Sequence, residues 1–232
     1  MRGPLAPSPT TTDPRPGGAT IMNRPTFLVF DTETTGLPPR APRGTPPIAA
    51  DDPRQPRMAS FAAIVADQHG REITRHKHYV HPDGWSIDGT GAGKINGLTD
   101  EFLRRNGVEV SEVLEFYSQQ IGNGLIAVAF NKVFDLKIMR GELRRAGLPD
   151  LFEQTKAICC MNALDPYAAE GLCMSRPGSV KLPVACEFFG IPLENAHDAM
   201  ADAEGARAIL EILIRDRRCP EPSVTYSKYR AA

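Results

Sequence analysis

Residues 26–36 read TFLVFDTETTG: five largely apolar positions, Thr26 to Phe30, and then two acids separated by one residue. A short apolar run of this kind predicts a buried strand. Side chains at i and i+2 of a strand point the same way, so Asp31 and Glu33, at its end, reach one spot. Thr34-Thr35-Gly36 follows as a turn whose backbone can approach a ligand closely. Taken alone, two acids so spaced are better read as a solvated pair at a strand end.

Outward from this stretch, Met58–Val65 predicts a second strand. Asp67-Gln68-His69-Gly70 supplies turn chemistry, and Arg71–Val80 reads as the returning strand of a hairpin. Thr99 reads as the N-cap of a short helix over 100–105, and Ser111 as the opening of another. Leu125–Phe130 predicts a buried strand, Asn131–Ala146 a helix closed by Gly147 and Pro149, and Ala157–Met161 the last strand. Helices are predicted near 180–189 and 198–217, the second with one apolar face at Ala203, Ala206, Ile209, Leu210 and Leu213. A hairpin followed by strand–helix alternation argues an α/β domain with a central mixed five-stranded sheet flanked by helices. The expected organisation is a disordered Pro-rich leader over 1–24, with Met22 a candidate start, a catalytic domain over 25–218 and a tail over 219–232.

Two further fragments carry chemistry. In FNKVFD, Asn131 and Asp135 are four apart on a predicted helix and share a face, at the strand end where α/β sheets place sites. The bland reading of Asp135 is an acid favoured by the helix dipole. In HDAMAD, His197 falls just before the last helix and Asp202 one turn inside it, with Asp198 read as the N-cap rather than a ligand. Four carboxylates and one histidine in this order suit a two-metal phosphodiesterase, although each fragment alone is weak.

DTETTG, NKVFD and HDAMAD resemble the three motifs of the DEDDh, or DnaQ-like, 3′–5′ exonuclease superfamily, which includes the proofreading subunit of bacterial replicative polymerases. The resemblance covers most of residues 25–215 and extends to INGLT at 95–99 and to the segment 181–210. It implies the ribonuclease H-like fold, with two Mg2+ or Mn2+ ions held by Asp31, Glu33, Asp135 and Asp202. It makes His197 the general base; an imidazole ordinarily titrates at about 6.5, near operating pH. It implies release of nucleoside 5′-monophosphates from single-stranded or frayed DNA ends. The turn Thr34, Thr35, Gly36 and Leu37 would be the terminal-nucleotide pocket, with Asn131 nearby and Phe61 and Phe134 as base-stacking candidates beside a core reading of both rings. Three alternatives stay open: RNA trimming by the same fold, a polymerase-bound proofreading or repair subunit, and a catalytically silent nucleic-acid-binding module.

Two features depart from the family pattern. Phe130 stands where members commonly carry a histidine. The stretch 38–57 holds seven prolines and is a long exposed loop beside the expected pocket, read either as a gate on strand access or as a tolerated insertion. Lys137, Arg140 and Arg144 share a helix face, read as a phosphate track or a solvated surface.

Across the 232 residues, 27 Lys and Arg stand against 28 acids, for a formal net charge of −1. Proteins that coat nucleic acid are usually strongly basic, so the expected grip is short and local. The five cysteines are odd in number with no CxxC pair, which suggests neither a disulfide framework nor a zinc site. No apolar run is long enough to span a membrane. A cytoplasmic enzyme is the expectation; the sequence does not speak to oligomeric state.

Overall fold

The computed structural model describes residues 24–224. The leader before Arg24, with Met22, and the tail after Val224 lie outside the described residues, as do the expectations placed on them. Strand β1 (Pro25–Thr34) pairs antiparallel with β2 (Met58–Asp67), and β2 with β3 (Glu72–Val80). At the β2–β3 turn the Asp67 carboxylate accepts from the N–H groups of His69 and Arg71, and Gly70 takes a left-handed φ of 80° that costs glycine no Cβ clash. Helices α1 (Gly91–Asn96) and α2 (Asp100–Asn106) precede the short strand β4 (Gly107–Val108) and helix α3 (Val110–Gly122). Next come β5 (Ile126–Ala129), α4 (Lys132–Arg145), β6 (Lys156–Cys159) and α5 (Cys160–Ala163). A 3-10 turn (Asp165–Glu170), α6 (Leu182–Phe189), α7 (Ala199–Arg215) and β7 (Ser223–Val224) complete the described chain.

The sheet order is β4-β3-β2-β1-β5-β6-β7, with β1, β5 and β6 mutually parallel. Its five longer strands are those of the expected mixed sheet. The two-residue edges β4 and β7 are too short to carry a hydrophobic period, and β7 falls inside the segment read as tail. β1 runs through Asp31 and Glu33 to Thr34, beyond the apolar run, because β2 pairs with it that far. Thr99 caps α2, its hydroxyl accepting from the N–H of Phe102 at 3.2 Å. The helix expected at Ser111 starts at Val110 after Glu109, without a side-chain cap. Helix α1, capped by Thr90, occupies a Gly-rich stretch that carries no helical period. The strand expected to reach Met161 ends at Cys159, where the chain turns into α5.

Each face of the sheet buries its own core. On one, Phe27 and Val29 of β1 join Ala62, Ile64 and Val128 under α6 and α7; on the other, Leu28 and Phe30 join Phe61, Ala63 and Ala127 under α3 and α4. Continued alternation turns Asp31 and Glu33 toward the α7 layer and Thr32 toward the α4 layer. The buried side chains Ile209, Leu210 and Leu213 hold α7 to the sheet, each contributing about 1.5–3 kcal/mol. No helix among the described residues is long and apolar enough to cross a membrane.

Candidate active site

The β1–β5 ladder ends at the Val29–Val128 pair, so β1 projects past its parallel neighbour. Beyond that point the N–H of Thr32 has no β5 carbonyl to meet and donates instead to Asp135 Oδ1 at 3.1 Å, joined by the Thr32 hydroxyl at 2.9 Å. Asp135 lies in the first turn of α4, which begins where β5 ends. This is the carboxyl edge of parallel strands, where side chains from successive elements converge.

Asp31 and Glu33 meet Asp202 from α7: one carboxylate oxygen of each lies within 4.8 Å of the other two. Asp135 stands outside this triad, turned onto Thr32 from the α4 side, but its charge reaches Asp31. Desolvation pushes the Asp31 carboxyl well above its ordinary range, reinforced by the charges of Asp135, Asp202 and Glu33. Burial, then Asp202, pushes Glu33 up to about 7, against a weak hydrogen bond from Asn96 Nδ2 at 3.4 Å. Burial likewise raises Asp135, despite its two bonds from Thr32, and Asp202, despite the opposing His197. Four acids that resist ionisation together are poised for positive charge. Asp202 Oδ1 is buried and accepts no hydrogen bond among the described residues, an arrangement costly unless a cation or proton meets that oxygen. An all-oxygen donor set fits a hard divalent ion.

His197 is exposed on the turn before α7, with a left-handed φ of 72°. That conformation strains a non-glycine residue. Asp198 follows as the cap, one carboxylate oxygen accepting from the N–H groups of Met200 and Ala201 while the other meets Lys77 Nζ. Lys77 reaches over from β3. Thr32, Asn96 and Lys77 are site neighbours that sequence reasoning missed. Thr32 lies between the two acids, and Asn96 lies in INGLT, the only signals either carried.

The remaining candidates divide. Thr34 is buried with its hydroxyl on the Gly36 carbonyl at 2.7 Å, and Leu37 beyond it is 82% exposed. Asn131 is exposed at the start of α4, and Phe134 is half-buried. Phe61 is fully buried between Phe30 and Phe116 and offers no face to a base, because β2 is covered on both of its faces. Phe130 is buried in the core beneath α7. Arg140 and Arg144 both donate to Asp150 Oδ2 at 2.8 Å, which ties them to their own helix's exit rather than to a strand path.

The RNase_T family model, described as an exonuclease, matches residues 28–210. The 3′–5′ exonuclease DinG of Bacillus subtilis (strain 168) is 26% identical over 206 residues, which cover 88% of this chain and 19% of DinG. A PolC-type DNA polymerase III of Streptococcus sanguinis (strain SK36) is 28% identical over 193 residues, 82% of this chain and 11% of the polymerase. Among solved structures, E. coli exonuclease I in complex with a dT13 oligonucleotide superposes with a TM-score of 0.62 at 22% identity, over 82% of this chain and 41% of that one. The chain therefore spans about a fifth or less of these curated relatives and about two fifths of that solved structure. The superposition establishes the ribonuclease H-like fold.

Proposed function

This chain belongs to the RNase_T exonuclease family, of the DEDDh, DnaQ-like type, and on that premise we propose that it removes nucleotides from the 3′ end of single-stranded or frayed DNA. The observation that carries the reading is the meeting of Asp31, Glu33 and Asp202 within 4.8 Å beneath an exposed histidine. Asp31, Glu33, Asp135 and Asp202 would hold two divalent cations, Mg2+ or Mn2+, which when bound supply positive charge to the attacking and leaving oxygens of an in-line displacement. His197, on its exposed turn, takes the proton from the attacking water as general base. Asp198 and Lys77 hold that turn against β3 while the imidazole stays free to approach. Thr34, Thr35 and Gly36 supply the pocket wall, and the exposed Leu37 lies against the terminal base. Asn131 and Phe134 line the side nearer α4. Hydrolysis leaves a 5′-phosphate on the released nucleotide and a 3′ hydroxyl on the shortened strand.

The PolC-type relatives favour a polymerase partner as one setting for this activity. Proofreading and repair are the processes such an enzyme serves. The deciding experiment offers 5′-labelled single-stranded DNA and matched RNA to the purified chain with Mg2+, Mn2+ or EDTA, with Asp202→Ala alongside. A metal-dependent ladder shortening from the 3′ end, absent in the variant and faster on DNA, is expected. Intact substrate in every lane would sink the proposal, and faster loss of RNA would reassign the polymer.

A further inference from the structure

Between Leu37 and Met58 the chain leaves the sheet edge and returns to it as a closed loop. Its two ends are tied: the N–H of Thr35 donates to the Arg57 carbonyl at 3.0 Å, and the N–H of Arg57 to the Thr35 hydroxyl at 3.0 Å. Its body is fastened to α4. Glu142, 1% exposed, accepts from Arg57 Nε at 3.0 Å and from the Met58 N–H at 2.9 Å, while an Arg145 guanidinium nitrogen donates to the Gln55 carbonyl at 3.2 Å. Gly141 permits this approach, since a Cβ there would stand 2.7 Å from the Ala50 carbonyl oxygen. Seven prolines within 38–57 fix further φ angles. A segment tied at both ends and fastened to α4 over 50–58 is a preordered arm rather than a swinging gate.

The arm borders an open groove of about 550 Å3 walled by Pro39, Arg40, Pro42, Pro46, Pro47 and Ile48, with the Asp52–Arg54 pair also lining it. That volume is in the range of small-ligand sites, about 300–1,000 Å3. Its arginines sort into two kinds. Arg54 is paired with Asp52 at 2.8 Å and Arg57 with Glu142 at 3.0 Å. Arg40 and Arg43 are exposed and form no ion pair among the described residues. Arg40 lies three positions beyond Leu37, a reach of at most about 11 Å, and Arg43 six positions beyond, at most about 22 Å, so these free cations follow on from the exposed end of the candidate nucleotide pocket. In a chain of net charge −1, they offer local positive charge where a bound strand would continue.

We propose that residues 38–57 form an upstream strand-binding arm, in which the proline-walled groove takes a base of the incoming strand and Arg40 and Arg43 contact its phosphates. This rests on the exonuclease reading for the position of the strand end, and it assigns a second site beyond the terminal nucleotide. Proline rings give an apolar wall against which the face of any base can pack, and arginine contacts to phosphate carry no sequence information. The arm therefore confers length dependence without base preference.

The test compares the wild type with an Arg40→Gln, Arg43→Gln double variant, both exposed positions. Turnover is measured on a dinucleotide and on a long single-stranded oligonucleotide, and binding of the long strand is measured in EDTA across a salt series. In the double variant, KM for the long strand should rise by about tenfold with kcat and dinucleotide turnover unchanged, and the slope of log affinity against log salt should fall by about 1 to 2. An unchanged long-strand KM and salt slope, or an equal loss on the dinucleotide, overturns the arm. A wild type inert toward both substrates overturns the exonuclease reading instead, and the EDTA binding series then decides the arm by itself.

Discussion

Asp202 Oδ1 sits buried and unmet beside Asp31 and Glu33, and the consequence is measurable without any substrate. Carboxyls whose folded-state pKa is raised keep protons that the unfolded chain has already released, so folding favours the protonated form. The contribution of these four carboxyls to the stability of the metal-free chain is therefore fully present below the ordinary carboxyl range and is lost as pH rises through about 7, the value to which Glu33 is pushed. Thermal melts in EDTA should show a higher Tm at mildly acidic pH than above neutrality, and Asp202→Asn should flatten that slope. A Tm that climbs with pH through this window would contradict the raised carboxyls. Divalent cation should restore stability above neutrality by binding the folded state alone. His197 is a separate case, because it is exposed and supports nothing in the core. His197→Ala should lower turnover by about 10² to 10⁴ while leaving the melt and the divalent-ion stabilisation as in the wild type, and an unchanged rate would remove it from the mechanism.

At the N-terminus of α7, one side chain ties the helix to strand β3. Asp198 caps the helix with one oxygen and meets Lys77 of β3 with the other. Desolvation raises its carboxyl, and the Lys77 hydrogen bond and charge more than offset this and hold it below its ordinary range. Asp198→Ala should cost about 1 kcal/mol or slightly more in urea unfolding, the usual weight of a lost cap. Lys77→Met alone should cost less, as partly exposed pairs do. The double variant should cost about as much as Asp198→Ala, because both changes act through one carboxylate; full additivity would show that Lys77 supports the fold elsewhere. The cap was readable from HDAMAD, since capping is a contact between near neighbours. Lys77 was not, because β3 and α7 are 121 positions apart at that contact.

Across the whole molecule, β1 supplies Asp31 and Glu33, α4 supplies Asp135, α7 supplies Asp202 and the turn before α7 supplies His197, all within one sheet and its two helical layers. No group of the proposed chemistry is left to another chain, so the purified protein should degrade a 3′ end without added polymerase, and an absolute requirement for a partner would reject that. The features legible in residue order were local: strand β1 from its apolar run, Asp31 and Glu33 on one side of it, the caps at Thr99 and Asp198, and the apolar face of α7. These follow from dihedral preference and from periods of 2 and 3.6 residues, which act over a few positions. Tertiary structure alone decided that the β1–β5 ladder stops at Val29, which frees the Thr32 N–H for Asp135 103 residues away. It also decided that Phe61 faces the core and that Glu142 fastens the proline-rich loop to α4 across 85 residues. Such contacts are set by which surfaces the sheet brings together, and residue order along the chain does not encode them at short range.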